Sequence, residues 1–374
     1  MRSGKYVNQL QGSARYKAFV PNALPFEIEH KEKLQGFLSR ADLALGKLDG
    51  VADILTNVDF FIFMYVRKEA TVSSQIEGTQ ATFIDVLKKE ANIEEGELHK
   101  DVDEVINYIT AMNYGLERLK KLPLSLRLLK EIHRMLLHGV RGEGKNPGEF
   151  RVSQNWIGGP TVETASFVPP PANQVMHLMG NLEEYMHKSE STPVLVKTGL
   201  LHAQFETIHP FLDGNGRVGR LLITFYLSQQ KTLRKPLLYL SDFFKRNRQT
   251  YYDRLSTFRE KDDIEGWLEF FLQGVTETSE RAVETARKII KLREYGMRHI
   301  ARLGRSTEKG MILYDYLFRN PMVRIKDVER IVDIKNPNAL ALVSKFIDLG
   351  ILRELTGHKR NRVFSFANYI ALFE

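Results

Sequence analysis

Cysteine is absent from the 374 residues, which excludes disulfides and thiolate metal sites and fits a reducing compartment. No apolar run approaches the roughly 20 residues that a membrane-spanning helix needs. The N-terminus lacks the basic, apolar and small-residue succession of a secretory leader. Internal repeats and low-complexity tracts are missing as well. Together these absences lead to the expectation of a cytoplasmic protein with no membrane partner. What is present is 43% hydrophobic residues in a chain longer than one ordinary domain, enough for substantial cores. The net charge of +8 raises nucleic acid as a partner, but the basic residues are spread along the chain rather than gathered.

One stretch concentrates the chemistry: His209-Pro210-Phe211-Leu212-Asp213-Gly214-Asn215-Gly216-Arg217-Val218-Gly219-Arg220. Apolar side chains at Val194, Leu201, Phe205 and Ile208 have helical spacing, and Pro210 stops that helix. A second apolar run, Val218 to Leu227, starts a new helix near Asn215. The loop between them therefore ends on a helix N-terminus, whose free N–H groups favour an anion. Gly214 and Gly216 let backbone approach a ligand closely. Arg217 and Arg220, three apart, can grip phosphate oxygens from one face. Asp213 is a hard oxygen donor suited to Mg²⁺. His209 is a proton acceptor near neutral pH. The set reads as a Mg-nucleotide site with a general base. Gly214, Gly216 and Gly219 also satisfy G-x-G-x-x-G, but a helix precedes them, not the strand a dinucleotide fold requires. His202, Glu206 and His209 could suggest zinc, but their order is not H-E-x-x-H.

The stretch resembles the Fic family motif H-P-F-x-[DE]-G-N-G-R-x-x-R at every specified position. The resemblance implies a protein adenylyltransferase that moves AMP from ATP to a serine, threonine or tyrosine hydroxyl of a target protein, or of itself. It implies that His209 is the base, Phe211 the buried loop anchor and Asp213 the Mg²⁺ ligand. Gly214, Asn215 and Gly216 would cradle the anion, with Arg217 and Arg220 on the polyphosphate. Upstream, Ser73-Ser74-Gln75-Ile76-Glu77-Gly78 is similar to the S/T-x-x-x-E-G/N inhibitory motif of autoinhibited members. There Glu77 would occupy Arg220, with Ser73 beside it. The segments Phe150–Pro160 and Ala165–Pro171 read as two short strands, and in the family such a flap pairs with an extended target segment. Asn155, Trp156, Ile157 and Gly158 are its candidate contacts. A family tyrosine that touches the nucleotide matches Tyr251.

The expected fold is mainly α: an N-terminal helical region over residues 1–100, a Fic-type core with the hairpin flap and a linker helix over 101–303, and a winged helix over 304–374. Residues before His30 read as an irregular arm. Ser241 or Asp242 would cap one helix running to Arg259. Glu94, Glu95 and Glu97 fall in a connection, and Gly357-His358-Lys359-Arg360 in a turn. The third helix of the last unit carries a single basic residue, Lys345, which favours target contact or self-association, including a homodimer, over DNA. Two alternatives stay open: transfer of UMP, phosphate or phosphocholine, and a DNA-binding regulator acting through the winged helix.

Overall fold

The computed structural model describes the chain except residues 11–14, 30, 55–57, 94–98, 189–190 and 358–360. Glu94, Glu95, Glu97, His358, Lys359 and Arg360 thus lie outside the described residues. The chain opens with a hairpin of β1 (Gly4–Gln9) and β2 (Tyr16–Pro21), antiparallel with Gly4 opposite Pro21. This corrects the expected irregular arm. Ala18 and Phe19 are both fully buried, and Phe19 N–H donates to the Val168 carbonyl at 2.9 Å, binding the hairpin to the body.

Four helices follow: α1 (Lys31–Ile54), α2 (Val58–Ile76), α3 (Phe83–Glu90) and α4 (Val102–Leu119). Helix α3 starts at a capping box in which Thr82 and Asp85 satisfy each other's backbone N–H groups. Next come α5 (Leu126–Leu136), α6 (Val175–His187), α7 (Val194–Ile208) and α8 (Asn215–Gln229). The pair α7 and α8 is the centre of the molecule, and nearly every side chain on both is buried. Burial on every side leaves the polar side chains they carry, Glu206, Arg217 and Arg220 among them, to find partners inside the protein.

The single helix expected from Ser241 to Arg259 is two, α9 (Ser241–Arg246) and α10 (Arg248–Glu260). The break is at Asn247, whose φ of −110° and ψ of 36° leave the helical region. Ser241 does not cap α9, because its hydroxyl is taken by the buried Glu69 carboxylate. The long helix α11 (Ile264–Ile300) is capped by Asp263, and Trp267 Nε1 donates to the Gly199 carbonyl of α7 at 2.8 Å.

The last unit contains α12 (Thr307–Leu317), β3 (Met322–Arg324), α13 (Ile325–Val332), α14 (Asn336–Asp348), β4 (Arg353–Glu354), β5 (Val363–Ser365) and α15 (Ala367–Ile370). Its three strands form an antiparallel sheet in the order β3-β5-β4. The unit is not held by the long helix alone. Phe318 stacks on Phe60 of α2 with centroids 6.0 Å apart, Phe373 packs on Phe61 and Tyr65, and Tyr369 donates its hydroxyl to the Phe60 carbonyl. One hydrophobic core therefore runs from α1 and α2 into the C-terminal residues.

The flap segments form less structure than expected. Ile157 and Phe167 make a lone antiparallel bridge, with N–H···O distances of 2.8 and 3.1 Å. The physical reason is local. Gly158 and Gly159 both adopt φ near +70°, and Pro160, Pro169, Pro170 and Pro171 carry no N–H to extend a ladder.

Candidate active site

The α7–α8 corner turns on His209, which sits in the left-handed region with φ 49° and caps α7 by donating its N–H to the Phe205 carbonyl at 2.9 Å. Gly214, with φ 75°, leads into α8. Between them the loop is tied internally. Asn215 Oδ1 accepts from Phe211 N–H and its Nδ2 donates to the Phe211 carbonyl, both at 2.8 Å. This is a physical reason for an asparagine there: its amide offers a donor and an acceptor on separate atoms, one for the N–H and one for the carbonyl of the same residue.

Phe211 is fully buried, and its ring stacks on His133 with centroids 3.8 Å apart. His133 Nδ1 accepts the Gly148 N–H at 2.8 Å, so its Nε2–H donates to the Asp213 carbonyl at 3.0 Å. Burial pushes the His133 imidazolium down to about 4, which keeps the ring neutral in that tautomer. Arg151 fastens the loop from the other side, donating to the carbonyls of His209, Ile208 and Pro170. Asn155 does the same, with Nδ2 reaching the His209 and Phe211 carbonyls at 3.2 and 2.8 Å. The amide expected to face a target is thus turned inward, while Trp156 is exposed and Ile157 half-buried.

Arg220 is buried, and its hydrogen-bond partners lie on one segment. Nε donates to the Ser73 hydroxyl at 2.8 Å, and Nη2 to the Ser73 carbonyl at 2.9 Å and to Glu77 Oε1 at 2.7 Å. A Cβ on Gly216 would overlap the same Glu77 carboxylate, so Glu77 lies directly over the first turn of α8. Burial alone would raise the Glu77 carboxyl, but the Arg220 guanidinium outweighs it and holds it below the ordinary range.

Arg217 is equally buried and meets Glu104 of α4, with Nη1 and Oε2 at 3.3 Å. Thr79 and Arg141 also reach the Glu104 carboxylate. Among the described residues the Arg217 Nε has no hydrogen-bond partner. Asp213 is partly exposed; its Oδ1 accepts the Gly214 N–H and lies 3.8 Å from Arg217. A single hard carboxylate beside a buried arginine fits Mg²⁺, which takes one or two carboxylates and completes its shell with water and phosphate oxygens.

His209 Nδ1 is buried with no hydrogen-bond partner among the described residues and is 4.0 Å from Glu206 Oε2. Burial lowers the imidazole to about 4, and the same cause lifts Glu206 to about 7. His202 cannot complete a zinc site with them. Its Nδ1–H donates to the Gly219 carbonyl and its Nε2 accepts from Tyr251, each at 2.9 Å. Tyr251 is itself buried, so the hydroxyl expected on a nucleotide supports α8 at Gly219 through His202. Sequence reasoning missed Glu104, His133 and Arg151. Their one sequence signal is that each charged or titratable side chain falls on a predicted helix or flap with no local partner.

The comparisons with known proteins agree with this geometry. The Fic/DOC family N-terminal model matches residues 36–117 and the Fic/DOC family model residues 123–227. A probable protein adenylyltransferase of Aquifex aeolicus is 30% identical over 210 residues, covering 53% of this chain and 56% of that one. The protein adenylyltransferase Fic of Drosophila grimshawi is 32% identical over 124 residues, 32% of this chain and 24% of that one. The chain thus spans little more than half, or less, of the length of these curated relatives. A Fic family protein from Desulfovibrio desulfuricans G20 superposes with a TM-score of 0.56 at 17% identity, covering 92% of this chain and 98% of its own. A Fic domain containing signaling protein from Bacteroides thetaiotaomicron gives 0.54 at 19% identity, covering 67% of this chain and 97% of its own. With the complete 209–220 signature folded into a helix–loop–helix corner, the chain belongs to the Fic/DOC family.

Proposed function

We propose that this protein is an adenylyltransferase that transfers AMP from ATP to a hydroxyl of a protein, and that Glu77 restrains it. The observation that carries the reading is the position of Glu77, bonded to Arg220 and lying over Gly216. A carboxylate there sits where a phosphate would meet the α8 N-terminus.

In the reaction the target hydroxyl oxygen attacks the α-phosphorus of ATP, its proton passes to His209, and pyrophosphate leaves. His209 is neutral across the physiological range, so it is ready to accept that proton. Arg217, backed by Glu104, offers its unused Nε to the phosphates. Arg220 joins once Glu77 withdraws. Asp213 would hold Mg²⁺, which when bound would offset phosphate charge. Trp156 and Ile157 border the edge on which an extended target segment would pair, and Asn155, Arg151 and His133 keep the loop rigid beneath it. The division at residues 303 and 304, with a winged helix beyond, belongs to the same proposal. So does a cytoplasmic location.

The test is incubation with α-labelled ATP and a cell lysate. Label on protein from the Glu77→Gly variant, and none from Glu77→Gly combined with His209→Ala, is the expected result. Removing a general base costs on the order of 10² to 10⁴ in rate. Label from γ-labelled ATP instead would indicate phosphate transfer, and equal label with and without His209 would exclude it as the base.

A further inference from the structure

Glu206 lies in the last turn of α7, three residues before His209, and the left-handed turn at His209 brings the two side chains together. Glu206 Oε2 and His209 Nδ1 are 4.0 Å apart, on side chains that are 8% and 19% exposed. Nδ1 is on the buried edge of the ring, so the exposed edge is the one that carries Nε2. The other carboxyl oxygen is seated on α8, where a Cβ on Gly219 would lie 2.3 Å from Oε1. Glycine at 219, a position that the 209–220 motif leaves open, thus makes room for this carboxyl. Among the described residues neither Glu206 Oε1 nor His209 Nδ1 has a hydrogen-bond partner. Nor does the Nε of Arg259, a buried cation of α10 whose guanidinium lies 3.8 Å from the centre of the Phe167 ring. Arg259 acts electrostatically on both Glu206 and His209, so three buried polar groups with unused bonding capacity meet beneath the base.

We propose that Glu206, once ionised, is the positioning residue for His209: its carboxylate holds Nδ1–H, which leaves the Nε2 lone pair to take the proton of the target hydroxyl. A shift of about 1 Å closes the contact to hydrogen-bond range. The inference rests on the proposed transfer, in which the hydroxyl oxygen bonds to the α-phosphorus, the bond to pyrophosphate breaks and the proton ends on Nε2. The imidazolium so formed then has a carboxylate beside it, as a base oriented by a third group requires. A protonated carboxyl would supply no charge to it. Arg220 on α8, Arg259 on α10, Glu77 beyond α2 and the Tyr251 hydroxyl face Glu206, and Arg151 faces His209. Burial, reinforced by Glu77 and opposed by Arg220 and Arg259, lifts the Glu206 carboxyl to about 7, so that it ionises in the physiological range. The Glu206 backbone carbonyl also acts on the ring, but it does not titrate, which separates its effect from that of the carboxylate.

Two measurements test the role. In the full chain labelled with ¹⁵N-histidine, the His209 ring nitrogens, assigned by their loss in His209→Ala, are followed by NMR from about pH 5.5 to 8.5. Their shifts should move toward the Nδ1–H tautomer with a midpoint near 7 in wild type and stay unmoved in Glu206→Gln. Label transfer from ATP by Glu77→Gly is then compared with that by Glu77→Gly/Glu206→Gln, per mole of folded protein and at saturating ATP. The ionisation of ATP is common to both and cancels in the ratio of rates. Removing Glu77 also lowers the pH at which Glu206 ionises, so the comparison runs from about pH 5 to 8. The ratio should grow at least tenfold across that window, with KM for ATP unchanged. A ratio independent of pH would overturn the positioning role, since a purely structural loss is uniform. Ring shifts that titrate alike in wild type and Glu206→Gln would overturn the contact. Absence of label from Glu77→Gly at every pH, with the ring titration present, would count against the transfer reaction and not against the contact.

Discussion

Arg220 and Glu77 lie 143 residues apart in the chain, yet Nη2 and Oε1 meet at 2.7 Å, with Ser73 filling the remaining face of the guanidinium. On the proposed reading the pair both stabilises the folded chain and withholds the arginine from phosphate. Replacing the carboxylate should therefore separate the two roles. Glu77→Gly is expected to raise label transfer on the order of ten- to a hundredfold, the equivalent of losing one charge-assisted bond of roughly 1.5 to 3 kcal/mol. Glu77→Gly/Arg220→Ala should stay inactive. Label incorporated per mole of folded protein distinguishes the variants, and a single variant no faster than wild type would show that Glu77 is no brake.

Glu104 should matter although it touches no expected substrate. Its removal leaves the buried Arg217 without its carboxylate, and breaking a buried pair from one side costs about 3 to 5 kcal/mol. Glu104→Ala is expected to unfold at markedly lower denaturant and, where still folded, to bind ATP more weakly. A variant with unchanged midpoint and unchanged affinity would remove Glu104 from both roles.

Acid should weaken the fold before it stops the chemistry. His133, His202 and His209 ordinarily titrate near 6.5, but burial lowers them to about 4, 3 and 4. Because the folded values are the lower ones, the unfolded chain takes up protons first. Stability is thus intact above about pH 6.5 and falls as pH drops toward 4, by about 2 kcal/mol per histidine at pH 5. Glu206 acts with the opposite sign. Its folded value of about 7 exceeds the ordinary 4.5, so ionising it costs stability as pH rises across that window. Glu206→Gln should accordingly be more stable than wild type at pH 8 and equal to it near pH 4.5. Denaturant midpoints across pH 4.5 to 8 for both proteins measure these slopes.

The C-terminal unit is expected to be needed for a stable α2. A chain ending near Leu303 would lose Phe318, Tyr369 and Phe373 and expose Phe60, Phe61 and Tyr65. At roughly 1.5 to 3 kcal/mol per large apolar side chain returned to water, such a truncation should melt well below the full chain. Equal melting temperatures would show that the aromatic contacts contribute nothing. From sequence alone the unit reads as an appendage, since the contacts that bind it to α2 join residues more than 250 positions apart.

That distance explains what was legible and what was not. His209, Asp213, Arg217 and Arg220 are close in the chain, so helix spacing alone places them together. Glu77 and Ser73 could be matched only through resemblance, because nothing local in Ser73–Gly78 indicates a guanidinium partner. Glu104, His133 and Arg151 each reach the loop from a different element, and the sequence offers no period by which to link them. The β1–β2 hairpin failed for another reason: its alternation is interrupted by polar residues at Asn8 and Gln9, and its burial comes from the body beneath. The flap failed in the opposite direction, with strand-like composition but prolines and positive-φ glycines that limit it to one bridge.

Glu77 stands one residue beyond the end of α2, where Gly78 turns the chain with φ 97°. Its withdrawal therefore requires only a turn to rearrange, while Ser73 remains on the rigid helix and keeps Arg220 aligned. Loop motions of that size run on nanoseconds to microseconds, far faster than helix displacement. If Glu77 restrains transfer as proposed, the restraint is a frequency and not a lock, and wild type should retain a slow basal transfer.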